Sequence, residues 1–149
     1  MQINELYQEI ILDHGKNPRN KGKCNHNLDA KGHNPLCGDR VHIFLKLDKD
    51  NVVKDISFEG EGCAISIASA SILTEIVKGK DKNFTNKLKD EFLEMIKNKE
   101  NIKINSLTED QITTLMSLSG VKKYPMRVKC ATMAWHTFSN ALNEDYKGR

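Results

Sequence analysis

Three of the four cysteines in this chain of 149 residues lie where predicted secondary-structure elements begin or end, rather than inside apolar runs. Cys37 lies in the polar turn NPLCGDR, with Asp39 two residues later. Cys63 follows the sequence GEG and opens a predicted helix, and Cys130 lies near the start of the last predicted helix. Element ends can bring distant side chains together, but the spacing alone does not show that this loop and these two helix starts meet.

The apolar patterns predict several helices and a small antiparallel hairpin in one domain. Predicted helices cover residues 3–14, 63–79, 108–119 and a last segment that starts near Pro125. Alternating apolar residues predict strands over 40–47 and 51–58, joined by a turn at 48–51. Residues 23–38 are predicted to be irregular, although the region before Cys37 is expected to widen the hairpin. Residues 83–105 are polar and lysine-rich, and they are predicted to be weakly helical.

Composition excludes several classes of function. The formal net charge is only +3 and the charged residues are nearly balanced in sign, so nucleic acid is not an expected partner. No apolar run is long enough to span a membrane, and the amphipathic N-terminus lacks the features of a signal peptide. We therefore expect a cytoplasmic protein, in which reduced cysteines are candidates for metal binding or catalysis before disulfides.

The surroundings of the cysteines favour the thiolate form. Cys63 and Cys130 are both predicted at helix N-termini, where free N–H groups and the helix dipole stabilise negative charge. Three thiolates and the Asp39 carboxylate would carry four negative charges, and a divalent ion would halve that number. Zinc accepts three sulfurs and one oxygen in a tetrahedral site. The nearby basic residues expected to offset the remaining charge are Arg40, Arg127 and Lys129.

The residues alone leave other interpretations open. The pairing of Cys37 with Asp39 fits a metal site and an ordinary turn equally well. Cys63 or Cys130, taken singly, is more often a small buried apolar residue. Cys24 is expected to be a bystander, and the single histidines lack metal-ligand spacing.

Four segments together resemble a known family. They are LYQEIILDHGKNPRNKG, NPLCGD, FEGEGCAISIASASILTEIVKGK and YPMRVKCATMAWHTF, and they span nearly the whole chain. Their content and order resemble the iron–sulfur cluster assembly proteins of the SufU/IscU family. The similarity is closer to the SufU type, because Lys129 stands where IscU-type scaffolds have a histidine. The polar segment at about 81–105 resembles the insertion of SufU-type proteins.

The resemblance implies a fold, a site and an activity. The fold would be a single α+β domain over residues 1–149, with a small antiparallel β-sheet packed by helices on one side. A zinc ion would be held by Cys37, Asp39, Cys63 and Cys130. Cys37 would be the catalytic sulfur acceptor, taking persulfide sulfur from a SufS-type cysteine desulfurase and passing it towards a SufBCD-type scaffold complex. Arg127 matches an arginine that the family has near the site.

Two other functions remain open on the same residues. The thiolates could instead hold a nascent iron–sulfur cluster, which would make the chain an assembly scaffold. The chain could also be a zinc-stabilised module that only binds a partner. Lys129 and the 81–105 insertion favour the sulfurtransferase over these alternatives.

Overall fold

The computed structural model describes residues 3–97 and 104–144. The elements, in chain order, are α1 (Ile3–Lys16), β1 (Leu28–Asn34), β2 (Asp39–Leu47), β3 (Val53–Glu61), α2 (Ala64–Val77), α3 (Lys82–Lys97), α4 (Glu109–Met116), a 3-10 helix (Ser117–Lys123) and α5 (Pro125–Asn143). This arrangement is α+β, as the resemblance implies. No helix in the described ranges is long and apolar enough to cross a membrane.

The sheet has three antiparallel strands in the order β1-β2-β3. The predicted β2–β3 hairpin is confirmed, and Asn51 in its turn adopts a left-handed φ of 63°. Residues of β2 alternate between the two faces, and the inward ones, such as Ile43 and Leu45, are fully buried. Helices α5 and α2 pack against that inner face. Outward-facing residues such as Arg40 and Lys46 leave the opposite face charged.

The prediction that residues 23–38 are irregular is wrong for residues 28–34, which form β1. Strand β1 lacks an alternating apolar pattern, because only its first and last residues, Leu28 and Asn34, are buried. Its middle holds Gly32, where a Cβ atom would collide with Thr137 Oγ1 of α5. A residue type that normally weakens a strand is therefore required here by the close approach of a helix. The expected widening of the hairpin is confirmed.

The segment predicted to be weakly helical contains a regular helix, α3, over Lys82–Lys97. The buried residues of this helix include Leu88, Phe92 and Met95, and they extend the hydrophobic core. Phe92 stacks on Trp135 of α5, with ring centroids 4.2 Å apart and an interplanar angle of 14°. Tertiary packing thus stabilises a stretch whose composition is mostly polar. Residues 98–103 of the predicted insertion lie outside the described residues.

Helix α1 is anchored to α2 by a buried histidine. The Ser71 hydroxyl accepts a hydrogen bond from the backbone N–H of Arg19 at 2.8 Å and lies 2.7 Å from His14 Nδ1. One hydroxyl therefore joins both the His14 ring and the backbone of Arg19 to α2. Burial, followed by the positive charge of Arg19, lowers the pKa of His14 and favours its neutral form. His14 therefore has a packing role, as its isolated position in the sequence predicts.

The stacking of α3 on α5 predicts a large loss of stability for Phe92→Ala. Removing a fully buried aromatic ring from a packed core costs about 3–5 kcal/mol in the free energy of unfolding. The matched control is Lys87→Ala, an exposed position on the same helix, which should stay within about 0.5 kcal/mol of the wild type. Urea denaturation followed by circular dichroism measures both values. Similar stabilities for the two variants would show that α3 does not belong to the cooperative core.

Candidate metal centre

Cys37 lies in the tight turn between β1 and β2. The backbone N–H groups of Cys37 and Gly38 both donate to the carbonyl oxygen of Asn34, at 3.3 and 2.8 Å. Gly38 has a φ of +70°, a left-handed conformation that glycine adopts without steric cost. The turn therefore places the half-buried Cys37 thiol at the end of the sheet, next to an exposed Leu36.

Asp39 is the first residue of β2 and is completely buried. Its Oδ1 atom accepts a hydrogen bond from the backbone N–H of Cys63 at 3.0 Å. Its Oδ2 atom is buried, and no group in the described part of the chain hydrogen-bonds to it. A buried carboxylate oxygen without a partner is costly. This atom is therefore available to a ligand that the protein itself does not supply.

Cys63 caps the N-terminus of α2 in an extended conformation, and its half-buried thiol lies at the helix start. This agrees with the predicted placement. The preceding Gly62 has a φ of +147° and lies against the Asp39 carboxylate, which a Cβ atom at position 62 would overlap. The glycine therefore allows the β3–α2 connection to pass directly over Asp39.

Cys130 is fully buried in α5. It is the sixth residue of a helix that begins at Pro125, so it lies in the second turn rather than at the N-terminus. The expected stabilisation of its thiolate by free N–H groups is therefore wrong, since that effect is confined to the first turn. The position of this helix turn is instead set by α2, where the Ser69 hydroxyl donates to the Ala131 carbonyl at 2.5 Å and accepts from Trp135 Nε1 at 3.1 Å.

The structure brings three of the predicted ligands into one cluster. The potential ligand atoms of Cys37, Asp39 and Cys130 all lie within 4.8 Å of one another. Cys63 lies outside this group of three, although its thiol is close enough to contribute to the raised pKa of Cys130. Burial raises that pKa most, and the neighbouring Asp39, Cys63 and Cys37 side chains raise it further. Without a cation this crowded, buried set cannot hold several negative charges.

Of the three basic residues expected to offset the charge, Arg127 lies at the thiols. Its guanidinium has a raised pKa, chiefly because of a hydrogen bond to Cys130 and the negative charge of Cys63. Lys129 instead lines a cleft between β1 and α5, and Arg40 lines the outer face of the sheet. Arg127 is exposed in the first turn of α5, so a positive charge lies beside the buried Cys130 thiol.

The sequence pattern does not single out Asn34, which the structure places at the centre of the site. This buried residue donates from Nδ2 to Cys130 Sγ at 3.9 Å and accepts the Leu36 N–H at Oδ1 at 3.3 Å. It therefore connects the Cys37 turn with Cys130. The Asn-Pro dipeptide is a known turn signal, but nothing in the sequence marks the amide as a donor to a distant thiol.

Cys24 lies away from the cluster, as expected for a bystander. Its thiol is 3.8 Å from the carbonyl oxygen of Phe44, and its backbone N–H donates to Ser57 Oγ at 2.9 Å. Phe44 and Ser57 pair across β2 and β3 on the face opposite the helices. This cysteine therefore helps to fasten the segment before β1 to the outer face of the sheet.

The cluster fits a soft divalent metal ion. Two thiols and a carboxylate oxygen converge, a third thiol is adjacent, and Asp39 Oδ2 lacks any other partner among the described residues. Zinc is commonly bound by such sulfur-rich sets, and iron also accepts thiolates. Ligation by Cys37, Asp39, Cys63 and Cys130 stays a prediction.

Comparison with known proteins identifies the family. Residues 6–131 match the NifU-like N-terminal domain family. The chain belongs to this family. Within it, the chain is 40% identical over 148 residues to the zinc-dependent sulfurtransferase SufU of Bacillus subtilis, covering 98% of this chain and 95% of the relative. The match extends over almost the full length of both proteins, which confirms the resemblance drawn from the four motifs.

Other NifU-like relatives carry a different functional name. The iron–sulfur cluster assembly scaffold protein IscU of Streptococcus pyogenes is 38% identical over 141 residues, covering 95% of this chain and 85% of the relative. The crystal structure of FiSufU from Fervidobacterium islandicum superposes with a TM-score of 0.79 at 34% identity, covering 93% of this chain and 98% of that one. The family therefore includes a protein named as a sulfurtransferase and others named as assembly scaffolds.

The contact between Gly62 and Asp39 predicts that Gly62→Ala damages the site. The new Cβ atom would displace the carboxylate, and the left-handed φ adds strain of about 1–3 kcal/mol. Gly120→Ala is the matched control, because no heavy atom lies within 4 Å of a Cβ atom placed there. Thermal unfolding should show a clearly lower melting temperature for Gly62→Ala and little change for Gly120→Ala. Equal melting temperatures would contradict the proposed contact.

Proposed function

We propose that this chain is a zinc-dependent sulfurtransferase in iron–sulfur cluster biogenesis, in which Cys37 carries the sulfur. It would accept sulfur from a SufS-type cysteine desulfurase and pass it towards a SufBCD-type scaffold complex. The observation that carries the proposal is the asymmetry of the cluster. Asp39 and Cys130 are fully buried, whereas Cys37 is half-buried on a turn beside an exposed residue. A partner can therefore reach the Cys37 thiol more easily than that of Cys130, and Cys37, unlike the half-buried Cys63, is not fixed at the start of a helix.

The proposed zinc ligands are Cys37, Asp39, Cys63 and Cys130. Support comes from the convergence of three of them within 4.8 Å and from the unpartnered Asp39 Oδ2. Bound zinc would supply the positive charge that keeps these thiols ionised at neutral pH. The exposed Arg127 guanidinium adds a further positive charge beside Cys130 and Cys63.

The proposed transfer is a thiol–persulfide exchange. The Cys37 thiolate attacks the outer sulfur of the partner's persulfide, and a new sulfur–sulfur bond forms on Cys37. The sulfur–sulfur bond of the partner breaks, and its cysteine leaves as a thiolate. No external oxidant or reductant is needed in this step, because one sulfur–sulfur bond replaces another.

An exposed apolar rim beside the cluster supports docking of a protein partner. Leu36, Tyr124 and Met126 are 63%, 62% and 64% exposed. Leu36 directly precedes Cys37, and the other two lie just before Arg127 in the chain. Large exposed apolar side chains grouped at a functional site are typical of a protein interface. The rim would let a desulfurase cover Cys37 and exclude water during transfer.

An assembly scaffold is the alternative function. It is supported by the similarity to the Streptococcus pyogenes scaffold protein and by a thiol set that also suits iron. The two functions predict different proteins after purification without added metal. A colourless protein with one zinc ion supports the sulfurtransferase, and a brown protein with labile sulfide supports the scaffold.

The unpartnered oxygen predicts that Asp39→Asn weakens zinc binding. The amide can keep the contact with the Cys63 N–H, but it removes the negative charge and one ligand oxygen. Loss of a residue that only hydrogen-bonds to a metal ligand lowers metal affinity about 10–100-fold. Loss of a ligand oxygen should therefore lower the zinc affinity of this variant at least about tenfold. Glu61→Gln, the same change at an exposed neighbouring carboxylate, is the control. Competition with a coloured chelator measures both affinities, and equal values would rule out Asp39 as a ligand.

The role of Cys37 predicts that Cys37→Ala abolishes the stimulation of a SufS-type desulfurase. Turnover of L-cysteine with the variant should fall to the rate of the desulfurase alone. The wild-type chain is also incubated with the desulfurase and L-cysteine in the absence of reductant. Mass spectrometry should then show the added mass of one sulfur atom on the peptide that contains Cys37. Cys24→Ala, the same substitution outside the cluster, should leave both results unchanged. Full stimulation by Cys37→Ala would show that another group accepts the sulfur.

A further inference from the structure

Strand β1 is an edge strand with an open hydrogen-bonding side. It pairs with β2 along Leu28–Asn34, and β2 and β3 complete the sheet. Within residues 3–97 and 104–144, no backbone group from outside the sheet hydrogen-bonds to residues 28–33. Alternate N–H and C=O groups of these residues therefore point away from β2. Such an edge is a template for pairing with another extended chain.

Helix α5 lies beside this edge. A cleft of about 380 Å³ separates residues 31–35 from one face of the helix. The helix residues that line it recur at intervals of three and one positions on that face: Lys129, Thr132, Met133, His136, Thr137 and Asn140. Gly32 brings the strand close to this face, because a side chain there would collide with Thr137 and crowd Met133. An open strand edge and a facing helix form the kind of groove that accepts an added strand.

The groove is positively charged. Its lining includes an exposed lysine on each side, Lys31 on the strand and Lys129 on the helix, and none of the lining residues is acidic. His136 also lines the groove, but burial, followed by the positive charges of Lys89 and Lys97, lowers its pKa, so it adds no charge there at neutral pH.

Basic residues on an edge strand often serve only to prevent aggregation. Here the charges also line the facing helix, where they have no role in blocking strand pairing. Two copies of this chain would bring two basic edges together, which like-charge repulsion disfavours. An acidic strand would meet the opposite charge on both sides, at Lys31 of the strand and Lys129 of the helix. Charge complementarity therefore selects an acidic segment over a second copy.

We propose that this cleft, the β1–α5 groove, binds an extended acidic segment of a partner protein, which adds to β1 as a fourth strand. One end of the groove is formed by Asn34 and Pro35. Because Asn34 also donates a hydrogen bond to Cys130 Sγ, the bound segment would end beside the cysteine cluster. The proposal concerns a second recognition surface and does not depend on sulfur transfer by Cys37.

The test uses a capped peptide of alternating glutamate and threonine and isotope-labelled protein. Titration should shift the backbone amide signals of residues 28–34 and of the facing side of α5, and it should slow their hydrogen exchange. The same peptide with every backbone nitrogen methylated keeps its charge but cannot donate to β1, so it should lose binding. Methylation of every second nitrogen leaves one hydrogen-bonding edge intact and should preserve binding. Equal binding by the fully methylated peptide would overturn strand addition.

Charge reversal provides a second test of the proposal. Lys31→Glu should weaken binding of the acidic peptide by about fivefold or more, since it replaces an attraction with a repulsion. The matched control is Lys49→Glu, in the exposed β2–β3 turn, which should bind like the wild type. Both positions are exposed, and the amide spectrum verifies that each variant is folded. Equal affinities for the two variants would overturn the charge argument.

Hydrogen exchange of the free protein tests the other possible occupants. The proposal requires the outward amides of β1 to exchange rapidly at every protein concentration. Protection that increases with concentration would show that a second copy fills the groove. Protection independent of concentration would show that a segment of this chain fills it. Either result would overturn the proposal.

Discussion

The buried carboxylate of Asp39 is the contact on which the arrangement of the site depends. One of its oxygens holds the N–H of Cys63 at the start of α2, so a single side chain joins the first residue of β2 to the next helix. A buried carboxylate with one unsatisfied oxygen is unfavourable unless a positive charge compensates for it. The local fold therefore has a built-in requirement for a cation or a proton at this point, and the surrounding thiols make a soft metal ion the natural choice.

The second requirement is that α5 stays fixed relative to α2, because Cys130 belongs to α5 and Cys63 caps α2. The Ser69 hydroxyl provides this constraint through its hydrogen bonds to Ala131 and Trp135, one and five residues after Cys130. Trp135 is held in turn by its stacking on Phe92 of α3. Helix α3, in the segment that resembles a family insertion, thus supports the wall of the site at a distance. Its effect on the cluster is mechanical, through packing.

Much of this structure follows from the sequence, and the exceptions share a physical cause. The helices and the β2–β3 hairpin carry their own apolar periodicity, and the cysteines at their ends could be recognised as a constellation. Strand β1 and helix α3 carry weaker local patterns: Gly32 is explained only by the approach of Thr137, and α3 is stabilised by Trp135 from a distant segment. The role of Asn34 likewise depends on Cys130, 96 positions away. Contacts of this kind leave no trace in local composition.

The placement of the four proposed ligands gives each a different freedom to move. Asp39 begins a strand of the sheet, Cys63 caps a buried helix, and Cys130 lies inside another helix. Moving any of these would disturb a whole element. Cys37 is held only by a turn whose hydrogen bonds converge on Asn34 and whose next residue is glycine. Release of a thiol for chemistry is therefore least costly at Cys37, because only a few local contacts must change while the other three groups stay in place.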